Sequence, residues 1–473
     1  MRYDSSVSRT ATYHVENFGC RATQADGAAL ERQFESRGLA RAASDLADVV
    51  VLNTCTVTNA ADQDARAAIR RIQRQNPLAK IIVTGCYAQR DPQEVAALPG
   101  VSVVIGNSHK HQLAEIVLRE VPETRRGFVP LANLALTSQQ PTATNRGQLY
   151  VSDIFAHTEL LAAPVFESGG IQSSDRTRPN LKVQDGCDNR CSFCVIPSVR
   201  GQSRSLPLAE IIKQVTALVN AGYREVVISG INLGRWGRDL TQSLQFEGLV
   251  RAILADTDLE KLRISSVEPM DWSDELIALV ASSPRIAKHA HAPLQSGSDA
   301  VLRRMHRKYR PWHYRGKIEA IRAAMPTAAI GADVMTGFPG ESDAEFQATR
   351  RLIEDLPFTY LHVFTYSSRP GTPAAAFANQ VPVQVARERN KILRDLGTEK
   401  KMAFMKSFLG KSVEAITLSV EHARPGAVFT EALTDNFQKL YLEGRHTPNR
   451  WTAVQIDGVE NGAFLGRLHS QEV

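Results

Sequence analysis

The chain has 473 residues, of which 43% are hydrophobic and 22% are charged, and its formal net charge is +6 at pH 7. This length predicts about three globular domains and excludes a small scaffold stapled by disulfides. The sequence lacks both the roughly 18 consecutive apolar residues of a membrane span and the apolar core of an N-terminal secretory signal. We therefore expect a cytoplasmic protein with no membrane partner, whose positive charge permits a polyanionic partner such as RNA.

Residues 1–125 are predicted to form a first α/β domain. Apolar segments predict strands at residues 13–18, 48–52, 80–83 and 101–105. Helical patterns lie between the first three of these segments, at residues 24–38 and 60–75. Such repeated strand–helix–strand units are typical of a parallel sheet covered by helices.

A cysteine follows each of the first three predicted strands: Cys20, Cys55 and Cys86. Their separations of 35 and 31 residues are close to the length of one strand–helix–strand unit, about 30 residues. Because the carboxyl ends of parallel strands share one edge of the sheet, we expect the three thiols to converge there and hold a metal centre. The alternative is three unrelated buried thiols.

Residues 126–179, which contain stretches rich in Ser, Gln, Thr and Gly, are predicted to be a linker. Strand–helix alternation resumes over residues 180–406, with strands expected at residues 181–184, 225–229, 261–267, 286–291, 328–335 and 360–364. Helical patterns at residues 208–221 and 312–324 separate some of these strands. Six units of this kind predict a partial (β/α)6 barrel, with its chemistry at the carboxyl ends of the strands.

The other three cysteines, Cys187, Cys191 and Cys194, follow the first barrel strand with the spacing C-x3-C-x2-C. A structural zinc site requires four ligands, and no histidine lies between residues 181 and 204 to complete this group. An iron–sulfur cube held by three thiolates instead leaves one iron open to a cofactor or substrate. A zinc knuckle or a fortuitous cluster is the alternative.

Glycine-containing segments follow the later barrel strands, at residues 229–234, 265–269, 293–298 and 336–342. Glycine allows the backbone to approach a ligand closely, so these segments are candidates for a cofactor site. The alternative for each segment is an ordinary turn of the barrel. We predict that cofactor contacts from these segments include Gly230, Asn232, Gln295, Gly337, Gly340 and Glu341.

The pattern changes after a helical run at residues 385–406. Short alternating segments with Gly and Asn turns predict a small all-β barrel over residues 407–473, a kind of module that binds RNA. Six Lys or Arg residues stand against eight Asp or Glu residues in this module. Its charge therefore does not favour a purely electrostatic RNA contact.

Positive charge is concentrated in residues 301–325, which carry eight Lys or Arg residues and one acid, Glu319. Such a run is usually a solvated helix face. Because Tyr309, Trp312 and Tyr314 are interleaved with the charges, the second hypothesis is a surface that binds phosphates and stacks on bases.

The two cysteine groups and the terminal β module together resemble the methylthiotransferases of the radical S-adenosylmethionine (SAM) superfamily, over essentially the whole chain. Phe193 stands where that superfamily usually has an aromatic residue before the third cysteine. Within the family, the sequence resembles the MtaB branch. The segments that carry this resemblance are NTCTVTN (53–59), TGCYAQ (84–89), HAPLQSGSDAVLRRMHRKY and ADVMTGFPGES.

The resemblance implies two 4Fe-4S clusters and SAM as cofactors. It makes all six cysteines catalytic: Cys20, Cys55 and Cys86 hold a cluster that delivers sulfur, and Cys187, Cys191 and Cys194 hold the cluster that binds SAM. Phe193 and the six strand-end residues above are then SAM contacts, and residues 407–473 are a TRAM module. The implied partners are the anticodon stem-loop of tRNA, an electron-donating reductase and a sulfur donor.

The MtaB branch converts N6-threonylcarbamoyladenosine, next to the anticodon of certain tRNAs, to its 2-methylthio derivative. A SAM-derived radical suits this reaction because an aromatic C–H bond has no acidic proton for a general base to remove. Two alternatives keep the same chemistry but change the substrate, to isopentenyladenosine in tRNA or to a ribosomal-protein side chain. A third alternative is a non-catalytic RNA-binding protein that holds structural zinc.

Overall fold

The computed structural model describes residues 10–120, 147–157, 160, 177–424 and 427–468. The chain divides into two compact units. The first unit comprises Met1–Leu161 with Ser198–Gly201, and the second comprises Ala162–Pro197 with Gln202–Val473. Within the described ranges, no helix combines the length and the apolar character that a membrane crossing requires.

A six-stranded sheet with parallel pairing throughout forms the centre of the first unit. In the order β2-β1-β3-β4-β5-β6, it contains β1 (Thr12–Asn17), β2 (Ala40–Arg41), β3 (Val49–Thr54), β4 (Lys80–Gly85), β5 (Val101–Gly106) and β6 (Gln148–Tyr150). The helices are α1 (Arg21–Glu35), α2 (Asn59–Gln75), α3 (Cys86–Arg90), α4 (Pro92–Ala96) and α5 (Leu113–Glu120), the last preceded by a 3-10 helix, Asn107–Gln112. The predicted parallel arrangement of the cysteine-bearing strands is confirmed.

Strand β3 shows why this sheet lies inside the unit. Its sequence, VVVLNT, is buried at every position, which is the pattern of a parallel strand covered by helices on both faces. Val50 and Leu52 pack in a hydrophobic cluster with α2, whereas Val49 and Val51 pack in a second cluster with α1 and α5. Side chains that alternate along one strand thus supply two hydrophobic layers.

The edge strand β6 lies within residues 126–179, which the sequence assigned to a linker. Val103, Val104 and Ile105 of β5 pair in parallel with Gln148, Leu149 and Tyr150. Three residues are too short for a periodic pattern to identify a strand, so the sequence gives no signal for this element. Residues 121–146, 158–159 and 161–176 of this part of the chain lie outside the described residues.

Six parallel strands form the core of the second unit, as predicted. They make two three-stranded sheets, joined by an isolated parallel bridge between Leu262 and Ile286. The strands are β7 (Asn180–Lys182), β10 (Glu225–Ser229), β11 (Lys261–Ile264), β12 (His289–His291), β13 (Ala329–Thr336) and β14 (Tyr360–Thr365). A short antiparallel pair, β8 (Gln184–Asp185) and β9 (Arg204–Ser205), accompanies them.

The helices that follow β8 alternate with these strands. They are α6 (Ile196–Arg200), α7 (Leu208–Asn220), α8 (Phe246–Asp256), α9 (Asp274–Ser282), α10 (Asp299–Arg304), α11 (Pro311–Ala324), α12 (Asp343–Asp355) and α13 (Val383–Lys406). Three strands are shorter than the sequence predicted. The strands expected at residues 181–184 and 261–267 end at Lys182 and Ile264, and that expected at residues 286–291 begins at His289.

The C-terminal part of the second unit is a closed five-stranded barrel in the order β15-β16-β17-β19-β18, which confirms the predicted all-β module. Its strands are β15 (Ser412–Arg424), β16 (Ala427–Thr434), β17 (Lys439–Glu443), β18 (Trp451–Glu460) and β19 (Ala463–Leu468). Inward side chains such as Ala415, Leu440 and Phe464 form its core with Met405 at the end of α13.

This closed barrel packs against the amino ends of the parallel strands in the same unit. Asp435 Oδ1 accepts a hydrogen bond from the backbone N–H of Lys288, directly before β12, at 3.3 Å. Asn449 Oδ1 accepts one from the N–H of Arg224, directly before β10, at 3.4 Å. In β11, the Arg263 guanidinium donates to the backbone oxygens of Asp435 and Thr434, at 3.0 and 3.4 Å.

Arg263 also neutralises Glu225, a fully buried carboxylate at the start of β10. Arg263 Nε lies 2.6 Å from Glu225 Oε1, and the two side chains are 1% and 0% exposed. Burial acts to raise the pKa of Glu225, but the charges of Arg263 and Arg178 outweigh it and hold that pKa below its ordinary value. Glu225 is therefore ionised and depends on these cations.

Replacement of Arg263 by methionine is expected to lower the free energy of unfolding by about 3–5 kcal/mol, because it leaves the Glu225 carboxylate buried without its nearest cation. Urea unfolding of the full-length protein, followed by tryptophan fluorescence, measures the change. The matched control is Arg251→Met, which removes an exposed ion pair with Glu275 and is expected to change the same quantity by no more than about 0.5 kcal/mol. Equal midpoints for the two variants would contradict the prediction.

Candidate functional site

The first three cysteines lie at the carboxyl edge of the six-stranded sheet, where the sequence predicted them. Cys20 is the N-cap of α1 after β1, Cys55 directly follows β3, and Cys86 follows β4 as the first residue of α3. Gly19 has a φ of +98°, and a Cβ placed on it would lie 2.8 Å from the sulfur of Cys55. Glycine at this position therefore lets the Cys20 turn come close to Cys55.

Burial and the charge of the neighbouring sulfurs both favour the protonated form of Cys55 when no metal is bound. Burial raises the pKa of Cys55 to about 12, and the neighbouring sulfurs of Cys86 and Cys20 add to this shift. Asn107 Nδ2 lies 3.6 Å from Cys86 Sγ as a weak donor. A metal that binds thiolates must therefore displace protons here, and in return it neutralises three sulfurs that would otherwise repel one another.

Two buried cations and one carboxylate lie close to this cysteine group, in the same unit. Lys110 Nζ and Arg200 Nη2 lie 3.0 and 3.1 Å from the same oxygen of Asp26. Burial lowers the pKa of Lys110, whereas the charges of Asp26 and Cys86 act to raise it. Arg200 acts to lower the pKa of Cys55, so the charges around Asp26 interact with the thiols.

The second group of cysteines lies on the loop between β8 and α6. The backbone N–H of Cys194 donates to the carbonyl of Cys191 at 3.1 Å, which forms a tight turn. Burial raises the pKa of Cys194 to about 12 and also raises that of Cys187. Metal binding to this loop therefore displaces the protons of Cys187 and Cys194.

One side chain from a strand-end segment and one from the loop between α10 and α11 contact the sulfurs of this cysteine loop. Asn232 Nδ2 lies 3.6 Å from Cys187 Sγ, and Arg307 Nη1 lies 3.3 Å from Cys191 Sγ. Arg307 is 5% exposed and is held by an ion pair with Glu268. It is thus a buried hydrogen-bond donor to a metal-ligand sulfur, a kind of contact that tunes metal sites.

Each group offers three thiols with nearby nitrogen donors. Within the part of the chain that the structure describes, no three His, Cys, Asp or Glu side chains converge tightly enough to hold one metal ion. In an iron–sulfur cube held by three cysteines, each thiolate binds a different iron, so the sulfurs need not meet at one point.

A cavity of about 300 Å³ adjoins the second cysteine group. Asp188 and Asn189, from the loop between Cys187 and Cys191, lie in its wall beside Asn232. Every residue that lines the cavity is polar or charged: Asp188, Asn189, Gln202, Ser203, Asn232, Arg235, Arg238, Asp239 and Lys308. The cavity is therefore suited to bind a hydrophilic group.

Among the predicted cofactor contacts, Asn232 lies in the cavity wall beside Cys187. Gln295 is buried with a φ of +60°, and its Oε1 has no hydrogen-bond partner among the described residues. Gly230 lies so close to Gln184 that a Cβ on it would be 2.8 Å from the Gln184 Oε1. Phe193 packs against a cluster that includes Met305.

Gly337, Gly340 and Glu341 have packing roles in this chain. The N–H of Gly337 and the Arg389 guanidinium donate to the same Glu341 oxygen, at 2.8 and 2.9 Å. A Cβ on Gly337 would lie 2.4 Å from Cβ of Ala386 in α13. Gly340 has a φ of +74° and donates its N–H to the carbonyl of Asn379. Contact between these residues and SAM stays a prediction.

The basic run at residues 301–325 is not the base-stacking surface that the sequence suggested. Tyr309 and Tyr314 are 2% and 0% exposed, and their hydroxyls donate to backbone carbonyls. The stacking hypothesis is wrong for these two residues, because aromatic rings inside the core cannot stack on a base. Arg307 is buried as well, and Trp312, at 58% exposure, is the accessible aromatic of this segment.

Sequence reasoning did not single out Arg235 and Arg238 in the cavity wall, or Lys110 and Arg200 beside Cys55. The first pair lies in GRWGRD, immediately after the strand-end segment 229–234. A segment extended to residue 238 would have included both arginines. Lys110 and Arg200 come from separate parts of the chain, so no local pattern could have joined them.

Comparison with known proteins agrees with this geometry. The model described as uncharacterized protein family UPF0004 matches residues 12–106, and that of the radical SAM superfamily matches residues 181–353. The chain is 36% identical over 438 residues to the threonylcarbamoyladenosine tRNA methylthiotransferase MtaB of Bacillus subtilis, covering 92% of this chain and 91% of the relative. For the MtaB of Aquifex aeolicus the identity is 35%, with coverage of 93% and 99%.

A tRNA-2-methylthio-N(6)-dimethylallyladenosine synthase of Novosphingobium aromaticivorans is 34% identical, over 87% of each chain. Among solved structures, the radical SAM methyltransferase TsrM from Kitasatospora setae, with cobalamin and a [4Fe-4S] cluster bound, aligns with a TM-score of 0.55. That alignment covers 78% of this chain and 74% of the other at 16% identity, so it establishes the likeness of fold alone.

Replacement of Arg307 by methionine is expected to lower the reduction potential of a cluster on the second cysteine group. The positive charge and N–H donor at Cys191 stabilise the more negative, reduced state. A tenfold decrease in the equilibrium constant for reduction corresponds to a potential lower by roughly 60 mV for one electron. A redox titration followed by electron paramagnetic resonance measures the shift, in protein whose Cys20, Cys55 and Cys86 are replaced by alanine.

Arg303→Met is the matched control for Arg307→Met, because Arg303 belongs to the same run but is exposed and paired with Asp299. The cluster in the Arg303→Met protein is expected to have the same reduction potential as the cluster in the protein that keeps both arginines. An Arg307→Met protein with full iron content and an unchanged potential would show that this contact does not tune the cluster.

Proposed function

Because the chain belongs to the radical SAM methylthiotransferase family, we propose that it adds a 2-methylthio group to N6-threonylcarbamoyladenosine next to the anticodon of tRNA. The observation that carries the proposal is the pair of three-thiol sites, each at the carboxyl end of strands in an α/β fold. Similarity to MtaB relatives at 33–36% identity over most of the chain supports the choice of substrate.

When bound, the two clusters and SAM would supply the radical and sulfur chemistry that substitution at an unactivated aromatic carbon requires. Cys187, Cys191 and Cys194 would hold one cluster, and Asn232 and Arg307 would fix two of those ligands by hydrogen bonds to sulfur. Cys20, Cys55 and Cys86 would hold the other cluster. Lys110 and Arg200 place positive charge beside it.

The remaining assignments are part of the same proposal. Phe193, Gly230, Asn232, Gln295, Gly337, Gly340 and Glu341 contact SAM, with the orphaned Gln295 oxygen and the position of Asn232 as the strongest support. The domains are residues 1–125, 180–406 and a TRAM module at 407–473 that binds the tRNA. A reductase and a sulfur donor serve the enzyme in the cytoplasm.

The second candidate function is the same reaction on isopentenyladenosine in tRNA. The 34% identity to the Novosphingobium aromaticivorans synthase favours it almost as much as the MtaB relatives favour the first. The cavity beside Cys187 favours the first candidate instead, because it is lined by polar and charged residues and an isopentenyl group is apolar.

Analysis of tRNA nucleosides by mass spectrometry decides between the two substrates. In a strain that lacks this protein, we expect the 2-methylthio form of threonylcarbamoyladenosine to disappear and its precursor to accumulate. The wild-type protein is expected to restore the modified nucleoside, whereas Cys191→Ala is not. Loss of the 2-methylthio form of isopentenyladenosine, with the threonylcarbamoyl nucleoside unchanged, would contradict the proposal.

Iron content tests the assignment of the two cysteine groups. Anaerobically reconstituted protein is expected to hold about eight irons per chain, because each trio binds a cluster of about four. Replacement of Cys187, Cys191 and Cys194 by alanine is expected to halve the iron and to abolish 5′-deoxyadenosine formation. The triple variant of Cys20, Cys55 and Cys86 is expected to halve the iron while SAM cleavage continues. Stoichiometric zinc without iron would overturn the assignment.

A further inference from the structure

The polar cavity beside the second cysteine group contains more hydrogen-bond donors than its own carboxylates occupy. Arg235, Arg238 and Lys308 all line it. Asn232 links the cavity to the reaction centre, because it lines the wall and its amide lies 3.6 Å from Cys187 Sγ. A group bound by these cations is therefore close to the cluster that the cysteine loop holds.

Two of the cations are positioned by one buried acid. Arg235 Nε and Arg238 Nη2 lie 3.0 and 3.3 Å from the two oxygens of Asp271. The Asp271 side chain is 4% exposed, whereas those of Arg235 and Arg238 are 29% and 43% exposed. Asp271 thus orients both guanidinium groups and leaves each with further N–H donors for a ligand.

The acids in the cavity wall are already engaged by neutral donors. Asp239 accepts hydrogen bonds from the N–H and the hydroxyl of Ser205, at 2.8 and 2.5 Å. Asp188 accepts one from the N–H of Ser203 at 3.0 Å. Lys308, by contrast, forms no ion pair with any residue in the described ranges. The wall therefore presents free cationic donors to an incoming anion.

The two candidate nucleosides differ in the group that such a wall would recognise. The threonylcarbamoyl substituent ends in a carboxylate and a hydroxyl, whereas the isopentenyl substituent is a hydrocarbon. Guanidinium groups bind carboxylates through paired, charge-assisted hydrogen bonds. An apolar group placed here would leave the polar wall without partners, which strongly disfavours binding.

We propose that Arg235, Arg238 and Lys308 form an anion subsite that binds the carboxylate of the threonylcarbamoyl group and so selects the nucleoside to be modified. This inference rests on the proposed function and adds the residues that determine its specificity. The same cations could instead bind a backbone phosphate of the anticodon loop, which is also an anion. The two sources differ because every RNA has the phosphate and only the modified RNA has the carboxylate.

The test compares the binding of anticodon stem-loop RNAs that differ only in one nucleoside: threonylcarbamoyladenosine, its threonine methyl ester, or adenosine. Fluorescence anisotropy at fixed salt measures the dissociation constants for the reconstituted full-length protein. We expect the wild type to bind the carboxylate RNA about tenfold more tightly than either of the other two, because only this RNA offers the carboxylate to the three cations. A tenfold difference in dissociation constant corresponds to about 1.4 kcal/mol.

Lys308→Gln and Arg238→Gln are expected to remove most of this preference while binding of the adenosine RNA is unchanged. Lys308 is the sharper variant, since it has no ion pair with the described residues whose loss could disturb the fold. Arg251→Gln is the matched control, because Arg251 is exposed and does not line the cavity. This control is expected to keep the full preference.

The other outcomes separate the two levels of the proposal. Equal weakening of all three RNAs by the cavity variants identifies a phosphate site and overturns the carboxylate assignment. A preference retained in both variants overturns the subsite while leaving the proposed substrate intact. A wild-type protein that binds an additional stem-loop RNA with isopentenyladenosine more tightly than the threonylcarbamoyladenosine RNA overturns the proposed function and, with it, the subsite.

Discussion

Parallel strands end at a common edge of their sheet, and the placement of the first three thiols follows from this constraint. In the first unit, β1, β3 and β4 are neighbours, so three cysteines spaced along the sequence come to one edge. In the second unit, the cysteine loop follows the first barrel strands, and Asn232 and Arg307 reach its sulfurs from segments after later strands. Parallel strand ends thus bring the first ligand set together from distant parts of the chain, whereas a single loop carries the second set.

Both cysteine groups have buried positively charged side chains beside them. Arg307 lies against Cys191, and Lys110 and Arg200 lie near Cys55 and Cys86, each held by a carboxylate that is itself buried or partly buried. Such cations are costly to bury unless an anion compensates them. Thiolate clusters are anionic, so these residues reduce the electrostatic penalty of placing the clusters in a protein interior. Arg307, Lys110 and Arg200 therefore place their charge in the protein interior and not on a surface for an external partner.

Much of the architecture could be predicted from the sequence, because βαβ spacing and apolar periodicity are local signals. The positions of Cys55 and Cys86 relative to their strands illustrate this. The role of Arg307 could not be predicted, since a run of basic residues does not reveal which side chain points inward. Tyr309 and Tyr314 were misassigned for the same reason. The edge strand Gln148–Tyr150 pairs across more than 40 residues of chain, a contact that a window of sequence cannot contain.

The closed β-barrel packs against the amino ends of the parallel strands, whereas the cysteine loop follows their carboxyl ends. Strand β10, with five residues, separates these two ends, a rise of about 16 Å. A molecule that touches both the barrel and the reaction centre must therefore extend along the outside of the core for at least that distance. A free nucleoside is far too small to do so, whereas a folded RNA stem-loop is large enough. The architecture thus sets a minimum size for any molecule that contacts both ends, independently of the chemistry of its reacting base.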